Sequence, residues 1–192
     1  MVEVKGIKEL LSEIKDEKLQ KLLLSIYEDI KEELQNKPAA TKHHHLEAGG
    51  FGRHVKEVMN IALDLYDKEP DEYGCSRDDV IVSAFVHDFN KLDLYTEAAE
   101  WQKIKYQQKF VKIERIRVNE TARTVNLCAE YGLFMSDLIL NAITLHHGNW
   151  SVDSSSPHGY IETRDFTGLA ILLHAADLIS SQVFGRPKKV SL

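Results

Sequence analysis

Cysteine is scarce in this chain, and the scarcity excludes two kinds of scaffold. Cys75 and Cys128 are the only two cysteines among 192 residues, and neither belongs to a C-x-x-C pair. A thiolate zinc knuckle needs such pairs, and a disulfide framework needs several cysteines. We therefore expect both residues to be reduced structural thiols.

Long apolar runs are also missing, as is a secretory signal. No run approaches the roughly 20 apolar residues that span a bilayer, and a share of 43% apolar and 28% charged residues is typical of a soluble globular protein. Residues 1–11 mix Glu, Lys and apolar side chains without the regions of a signal peptide. The sequence predicts a cytoplasmic protein with no membrane partner, which forms one domain over residues 1–192.

Positive charge is in short supply overall. The formal net charge is −6, which argues against broad binding to long nucleic acid because that binding needs a basic surface. Lysine and arginine are nevertheless concentrated between residues 103 and 123. A local basic patch of this kind can receive a small anion, so we expect a small-molecule substrate.

Apolar residues recur at intervals of three and four along most of the chain, which predicts an all-α fold, a bundle of about six to eight helices. The pattern indicates N-terminal helices within residues 1–36. The segment 93–118 leaves two alternatives open, since 101–109 has a helical pattern and 110–118 alternates like a strand.

Polar groups interrupt the apolar pattern at the end of one buried helix. Ser76 and Asp79 have the form of a capping box that starts this helix, and its nearly all-apolar run ends in the doublet His87-Asp88. Burying an imidazole beside a carboxylate is costly unless each is paired or bound to metal. A divalent cation would compensate both, since imidazole nitrogen and carboxylate oxygen suit Mn, Fe, Co, Ni, Zn or Mg ions.

Two further ligands are predicted on other helices. His54 lies on the apolar stripe of the helix that precedes the doublet. Asp177 shares the apolar face of a last helix, predicted over residues 166–182. Packing these helices around the central one would bring both side chains to the doublet. The predicted metal ligands are therefore His54, His87, Asp88 and Asp177.

These residues give the sequence a resemblance to the HD-domain phosphohydrolase superfamily. The matching stretches are GGFGRH, which ends at His54, AFVHDFNKL around His87 and Asp88, and LLHAADLIS around Asp177. The superfamily is marked by a His, a His-Asp doublet and a distant Asp, in that order, on a helical scaffold. The resemblance covers about residues 43–184 and implies metal-dependent hydrolysis of a phosphate ester or anhydride.

Two further features are similar to particular branches of the superfamily. Lys91, three residues after the doublet's Asp, and the later His146-His147-Gly resemble positions in cyclic-dinucleotide phosphodiesterases, exoribonuclease-linked HD domains and small phage nucleotidohydrolases. The chain shows neither the Gly-Tyr-Pro element of the first branch nor the oligonucleotide-binding barrel of the second. The resemblance therefore favours a nucleotide or deoxynucleotide substrate. The alternatives are a phosphodiesterase or exonuclease acting on cyclic or short oligonucleotides, and a non-catalytic nucleotide-sensing module.

Roles beyond metal binding fall to five more side chains. Lys91 is expected to offset phosphate charge in catalysis and substrate binding, with a solvated helix-end cation as the alternative. His146 or His147 would hold a second ion, orient the attacking water or act as a general acid. His45, within a run of three histidines, is predicted to line the pocket mouth, with an exposed loop as the alternative. Trp150 is predicted to stack on a base, or else is simply packed. Homo-oligomer formation is left open.

Overall fold

The structure is a computed structural model that describes residues 4–41, 44–106, 109–113, 119–148 and 166–185. Its helices are α1 (Ile7–Leu11), α2 (Glu17–Asn36), α3 (Gly50–Tyr66), α4 (Arg77–Val86), α5 (Glu100–Tyr106), α6 (Glu120–Glu130), α7 (Asp137–Leu145) and α8 (Gly168–Ile179). Two short strands, β1 (Tyr95–Glu97) and β2 (Phe110–Lys112), form an antiparallel pair. The predicted all-α fold is confirmed, with this small pair as an addition to it.

The first two helices cover one side of the core. The Asp16 carboxylate accepts from the amides of Lys18 and Leu19 and so begins α2. α2 buries a single stripe made of Leu23, Ile26, Ile30 and Leu34. Partly buried leucines and Tyr27 flank this stripe, and the exposed residues of the helix are mostly charged, as expected for an amphipathic helix. Among the described ranges, no helix combines the length and the apolar character that crossing a membrane requires.

α4 lies at the centre of the bundle because its surface is almost entirely apolar. Its residues from Val80 to Val86 are all buried, and the helix packs against α1, α3, α7 and α8. The predicted capping box is present, since the Ser76 hydroxyl accepts from the Asp79 amide and the Asp79 carboxylate accepts from the Ser76 amide. A helix that is apolar on every side needs neighbours all around it. Those neighbours carry the other candidate functional side chains.

The chain leaves α4 through a turn that the core holds in place. His87 is the first residue after α4, and Asp88 has φ −116° and ψ 23°, so α-helical geometry stops there. A 3-10 turn over Phe89–Asp93 follows. Phe89 is fully buried and meets the Phe85 ring edge-on, with ring centroids 5.1 Å apart. Burying one Phe contributes about 1.5–3 kcal/mol, so the two rings fix the backbone on both sides of the His-Asp doublet.

The segment 93–118 contains both predicted alternatives in shorter form. α5 ends at Tyr106 and β2 begins at Phe110. The strands pair in the register Tyr95–Lys112, Thr96–Val111 and Glu97–Phe110. Tyr95 and Phe110 are buried, and β1 contacts the 3-10 turn. The strand pair therefore covers the bundle next to the His-Asp doublet.

The predicted last helix, residues 166–182, changes its winding before its end. α8 stops at Ile179, and a π-helical turn over Ser180–Phe184 follows. The Gly185 amide donates to the Ser180 carbonyl and closes this wider turn. Turns of this kind are rare and frequently occur at functional sites. Here the turn places Ser180 in the interior, where its surface is fully buried.

Candidate metal centre

Four side-chain atoms from three helical regions converge inside the bundle. His54 extends from α3, His87 and Asp88 follow α4, and Asp177 extends from α8. Nε2 of His54 lies 3.2 Å from Nε2 of His87 and 3.2 Å from Oδ1 of Asp177. Oδ2 of Asp88 lies 3.4 Å from Nε2 of His54 and 3.2 Å from Nε2 of His87. Ligands with bonds of about 2.0–2.2 Å to one ion stand roughly 3 to 3.5 Å apart. The observed separations fit the edges of such a coordination shell.

Hydrogen bonds at the other ring nitrogens fix the direction in which both imidazoles face. Nδ1–H of His87 donates to the Ala84 carbonyl at 2.8 Å. Nδ1–H of His54 donates to the Ser180 hydroxyl at 3.0 Å. Each neutral ring then has its lone pair on Nε2, the nitrogen that faces the carboxylates. Both histidines thus direct an electron pair into the centre.

The centre requires positive charge. Two imidazole lone pairs and two carboxylate oxygens face one another inside the core, and they repel unless a cation lies among them. Burial lowers the pKa of His54, but hydrogen bonds to Asp177 and Asp88 outweigh it and raise that pKa above its usual value. A proton and a metal ion therefore compete for the same nitrogen.

The carboxylates respond to the same environment. Burial alone would raise the pKa of both Asp88 and Asp177. The charge of Lys91, followed by that of His87, holds the pKa of Asp88 well below its usual range. The hydrogen bond and the charge of His54 do the same for the pKa of Asp177. Both carboxyls are therefore ionised and able to bind a cation.

Two buried polar atoms beside the four have no hydrogen-bond partner within the described part of the chain. They are Oδ1 of Asp88 and Nε2 of His146, which lie 3.8 Å apart. Nδ1–H of His146 donates to the Ile143 carbonyl at 2.5 Å, so Nε2 carries the lone pair. Burial, followed by the charges of His147 and His87, lowers the pKa of His146 to about 3, and the ring is neutral. An ion or a water molecule would satisfy both atoms.

His147 lies beside this pair of atoms. The rings of His146 and His147 are 3.8 Å apart between centroids. Together with Asp88, the two histidines offer ligand atoms that lie within 4.8 Å of one another. His147 is the more exposed of the two, with 34% of its side chain accessible. Nδ1–H of His174 donates to the His146 carbonyl at 2.6 Å and ties the end of α7 to α8. A second ion at this position remains a prediction.

Lys91 lies at the centre and not at a solvated helix end. Its ammonium donates to Oδ2 of Asp88, and only 11% of its side chain is exposed. Burial lowers the pKa of Lys91, but the charge of Asp88, followed by that of Tyr95, raises it above the usual value. Lys91 is therefore a buried cation whose charge offsets that of the centre.

His45, which was predicted to line a pocket mouth, lies inside the protein. The residue is 1% exposed, and its φ of 46° falls in the left-handed region, which is rare outside glycine. Its Nε2–H donates to Oε2 of Glu57 at 3.0 Å, and its Nδ1 lies 3.1 Å from Nδ1 of His44. Both ring nitrogens are thereby engaged, which leaves neither for a substrate. Trp150 lies outside the described residues.

Glu57 and Ser180 are the residues near the centre that sequence reasoning missed. The Ser180 hydroxyl, which accepts from His54, donates to Oε2 of Glu57 at 2.8 Å. Burial alone would raise the pKa of Glu57, but hydrogen bonds from His45, Ser180 and Arg53 lower it to about 2. The available signal was an acidic residue one helical turn after His54. Nothing in the sequence around Ser180 indicates its contact with that helix.

The helical fold and a centre of two imidazoles and two carboxylates are those of a metal-binding protein. The chain belongs to the HD-domain family, whose model matches residues 51–181. It is similar to the 3'-5' exoribonuclease YhaM of Oceanobacillus iheyensis, with 27% identity over 181 residues that cover 91% of this chain and 51% of that protein. The chain thus spans about half the length of this relative. Among solved structures, none matches the chain significantly. Family and relative together support a metal-dependent phosphohydrolase or nuclease.

Proposed function

We propose that the chain hydrolyses a phosphate ester or anhydride of a nucleotide or deoxynucleotide at this centre, with a divalent metal ion. The observation that carries the proposal is the convergence of four electron-pair donors, from His54, His87, Asp88 and Asp177, in a buried position. Two nitrogen and two oxygen donors suit Mn, Fe, Co, Ni or Zn better than a purely oxygen-bound ion. Membership of the HD-domain family supports the same chemistry.

The bound ion would lower the pKa of a coordinated water and polarise a phosphoryl oxygen. The side chains of the protein position the reactants. His54 and His87 present Nε2 because their Nδ1 atoms are held by hydrogen bonds. Lys91 neutralises Asp88, and its remaining N–H groups are available to a phosphate oxygen. The buried position of these groups strengthens each interaction with phosphate relative to water.

His146 would act as an acceptor in this reaction. Its Nδ1–H is committed to the Ile143 carbonyl, so the neutral ring has a lone pair and no hydrogen at Nε2. Such a nitrogen can bind a second ion or accept a hydrogen bond from the attacking water. It cannot serve as a general acid until it has first gained a proton.

Product identification on a nucleotide panel tests the proposal. Ribo- and deoxynucleoside mono-, di- and triphosphates are incubated with the protein and with Mn, Fe(II), Co, Ni, Zn or Mg in turn. We expect release of phosphate or pyrophosphate with at least one ion and none with a chelator. Asp177→Ala should lose at least about 100-fold in rate, because the ion supplies several kcal/mol of stabilisation. Asp64→Ala, which changes an exposed aspartate on α3, is the matched control. No release under any ion would overturn the proposal.

Shortening of RNA strands is a second candidate, and one observation favours it. The relative that matches 91% of this chain is a 3'-5' exoribonuclease. The net charge of −6 opposes extended contact with a long strand, so a short strand is the better substrate of this kind. A short 5′-labelled RNA in the same assay separates the candidates. Stepwise loss from the 3′ end, faster than mononucleotide hydrolysis, would favour the exonuclease.

A further inference from the structure

Glu57 connects through hydrogen bonds to the histidines around the centre. Its Oε2 accepts from the Ser180 hydroxyl at 2.8 Å and from Nε2–H of His45 at 3.0 Å. Its Oε1 accepts from Nε–H of Arg53 at 2.9 Å. The Glu57 side chain is 16% exposed, so water competes little for these bonds. Three donors therefore hold this carboxylate in one orientation.

Two chains of hydrogen bonds, called branches here, lead from Glu57 to the histidines. The first branch runs through Ser180 and sets the tautomer of His54. A hydroxyl has one hydrogen, and Ser180 donates it to Glu57. The Ser180 oxygen can then only accept from Nδ1 of His54, 3.0 Å away. Nδ1 of His54 must carry the ring hydrogen. The lone pair is consequently on Nε2, the atom that faces Asp88 and Asp177.

The second branch, through His45, sets the tautomer of His44. Because His45 donates Nε2–H to Glu57, its Nδ1 is an acceptor in the neutral ring. The atom 3.1 Å from that acceptor is Nδ1 of His44, which must be the donor. The lone pair of His44 is then on Nε2. The His44 and His54 rings are 5.2 Å apart between centroids, the same separation as between His54 and the predicted ligand His87.

Glycine at position 185 keeps the second branch in place. The Gly185 carbonyl accepts from the His45 amide at 3.3 Å. A Cβ atom at residue 185 would collide with the His45 ring and with Cβ of His44. The chain that leaves the π-helical turn therefore packs directly on the two histidines. One turn thus positions Ser180 for the first branch and supports His45 in the second.

We propose that Glu57 is a positioning residue that prepares two imidazoles for the metal centre, His54 through Ser180 and His44 through His45. Of the two histidines of this run that the structure describes, His44 and not His45 then offers a nitrogen to the centre. The inference rests on the proposed metal centre. It adds to that centre a carboxylate that has no described hydrogen bond to the four predicted ligands and acts through Ser180 and His45.

Two substitutions separate the branches. Ser180→Ala removes the hydroxyl and cuts only the branch to His54. Glu57→Gln removes the negative charge that both branches share and turns an amide N–H toward one of the donors. Loss of a group that orients a metal-binding histidine typically costs about 10- to 100-fold in metal affinity. We expect a loss of that size for both variants in titrations of the metal-free protein with Mn or Co.

Two neighbouring residues provide matched controls. Glu47 is exposed and, like Glu57, pairs with Arg53; its distance to Arg53 is 3.3 Å. Glu47 has no described hydrogen bond to Ser180 or His45. Ser181 follows Ser180 in the π-helical turn, and its hydroxyl donates to the Leu178 carbonyl. Glu47→Gln and Ser181→Ala should bind the ion as tightly as the wild type.

The tautomers of the imidazole rings can be measured by NMR, and a general loss of stability would not change them. Long-range ¹H–¹⁵N spectra of the metal-free protein, recorded at a pH above the raised pKa of His54 so that its ring is neutral, should show hydrogen on Nδ1 of both His54 and His44. Ser180→Ala should mix the tautomers of His54 alone, whereas Glu57→Gln should alter both rings.

Three results of these titrations and spectra have distinct meanings. Unchanged affinity and unchanged tautomers in Glu57→Gln and Ser180→Ala would overturn the inference. An equal loss of affinity in Ser181→Ala would also overturn it, because disturbed packing would then account for the effect. A wild-type protein that binds no ion would instead refute the proposed metal centre, while the tautomer spectra would still test the role of Glu57.

Discussion

Asp88 and Lys91 should be strongly coupled in the metal-free protein. Their side chains are 2% and 11% exposed, and the ammonium donates to the carboxylate. Removing one partner of a buried ion pair leaves an uncompensated charge and costs about 3–5 kcal/mol. Asp177 supplies a further negative charge near Lys91, so part of the compensation survives in Asp88→Asn. We therefore expect Asp88→Asn to lower the free energy of unfolding by about 3 kcal/mol, the lower end of that range.

The assay is a double-mutant cycle of Asp88→Asn and Lys91→Met, measured by urea unfolding in the presence of a chelator. The double variant has no orphaned charge, so it should lose much less stability than the sum of the single variants. We expect a coupling free energy of about 2–3 kcal/mol, near the upper end for residues in contact. A coupling below about 1 kcal/mol, as for exposed pairs, would refute the buried pair. Saturating Mn or Co should reduce the coupling, because the ion then shares the Asp88 carboxylate.

Three further outcomes are expected. His146→Ala should lower kcat/KM by at least about 100-fold. His147→Ala changes the more exposed ring and should lower kcat/KM less. Equal losses in steady-state assays would contradict the role of His146 as the acceptor. The folded-state pKa of Glu57, about 2 against an ordinary 4.5, contributes stability that is present above the ordinary value and is lost as the pH falls toward 2. The stability difference between wild type and Glu57→Gln should therefore narrow over that window in urea titrations, and a constant difference would count against the Glu57 contacts. Metal at about 100 times its Kd should stabilise the wild type by about 2.7 kcal/mol and Asp177→Ala far less, as thermal melts with and without chelator would show.

The apolar pattern was enough to predict the all-α fold and the start and end of its central helix. Each predicted ligand lies at a position where burial of a polar group is unfavourable unless that group is paired or bound to metal. The apolar pattern indicates these positions for that reason. His54 interrupts an apolar stripe, and His87 and Asp88 end a helix that is buried on all sides. The structure brings these side chains together with Asp177. Binding of an ion by them stays a prediction until it is measured.

The remaining parts of the centre depend on contacts between distant segments. Ser180 reaches His54 across 126 positions of the chain, and it does so from a π-helical turn that helical periodicity does not indicate. His45 is buried and its backbone adopts a positive φ. Such a φ is rare for a residue with a Cβ, and three adjacent histidines do not indicate it. Lys91 follows a helix end in sequence, where a solvated cation is equally compatible. Its burial is a consequence of tertiary packing.

The metal content of the purified chain tests the central claim most directly. The wild type, four single-ligand variants and the control Asp64→Ala are loaded with Mn or Co, desalted and analysed by elemental mass spectrometry. The ligand variants are His54→Ala, His87→Ala, Asp88→Ala and Asp177→Ala. We expect at least one ion per chain in the wild type and the control, and a marked loss in each ligand variant. A wild-type protein without bound ion, or ligand variants that retain it in full, would contradict the metal centre.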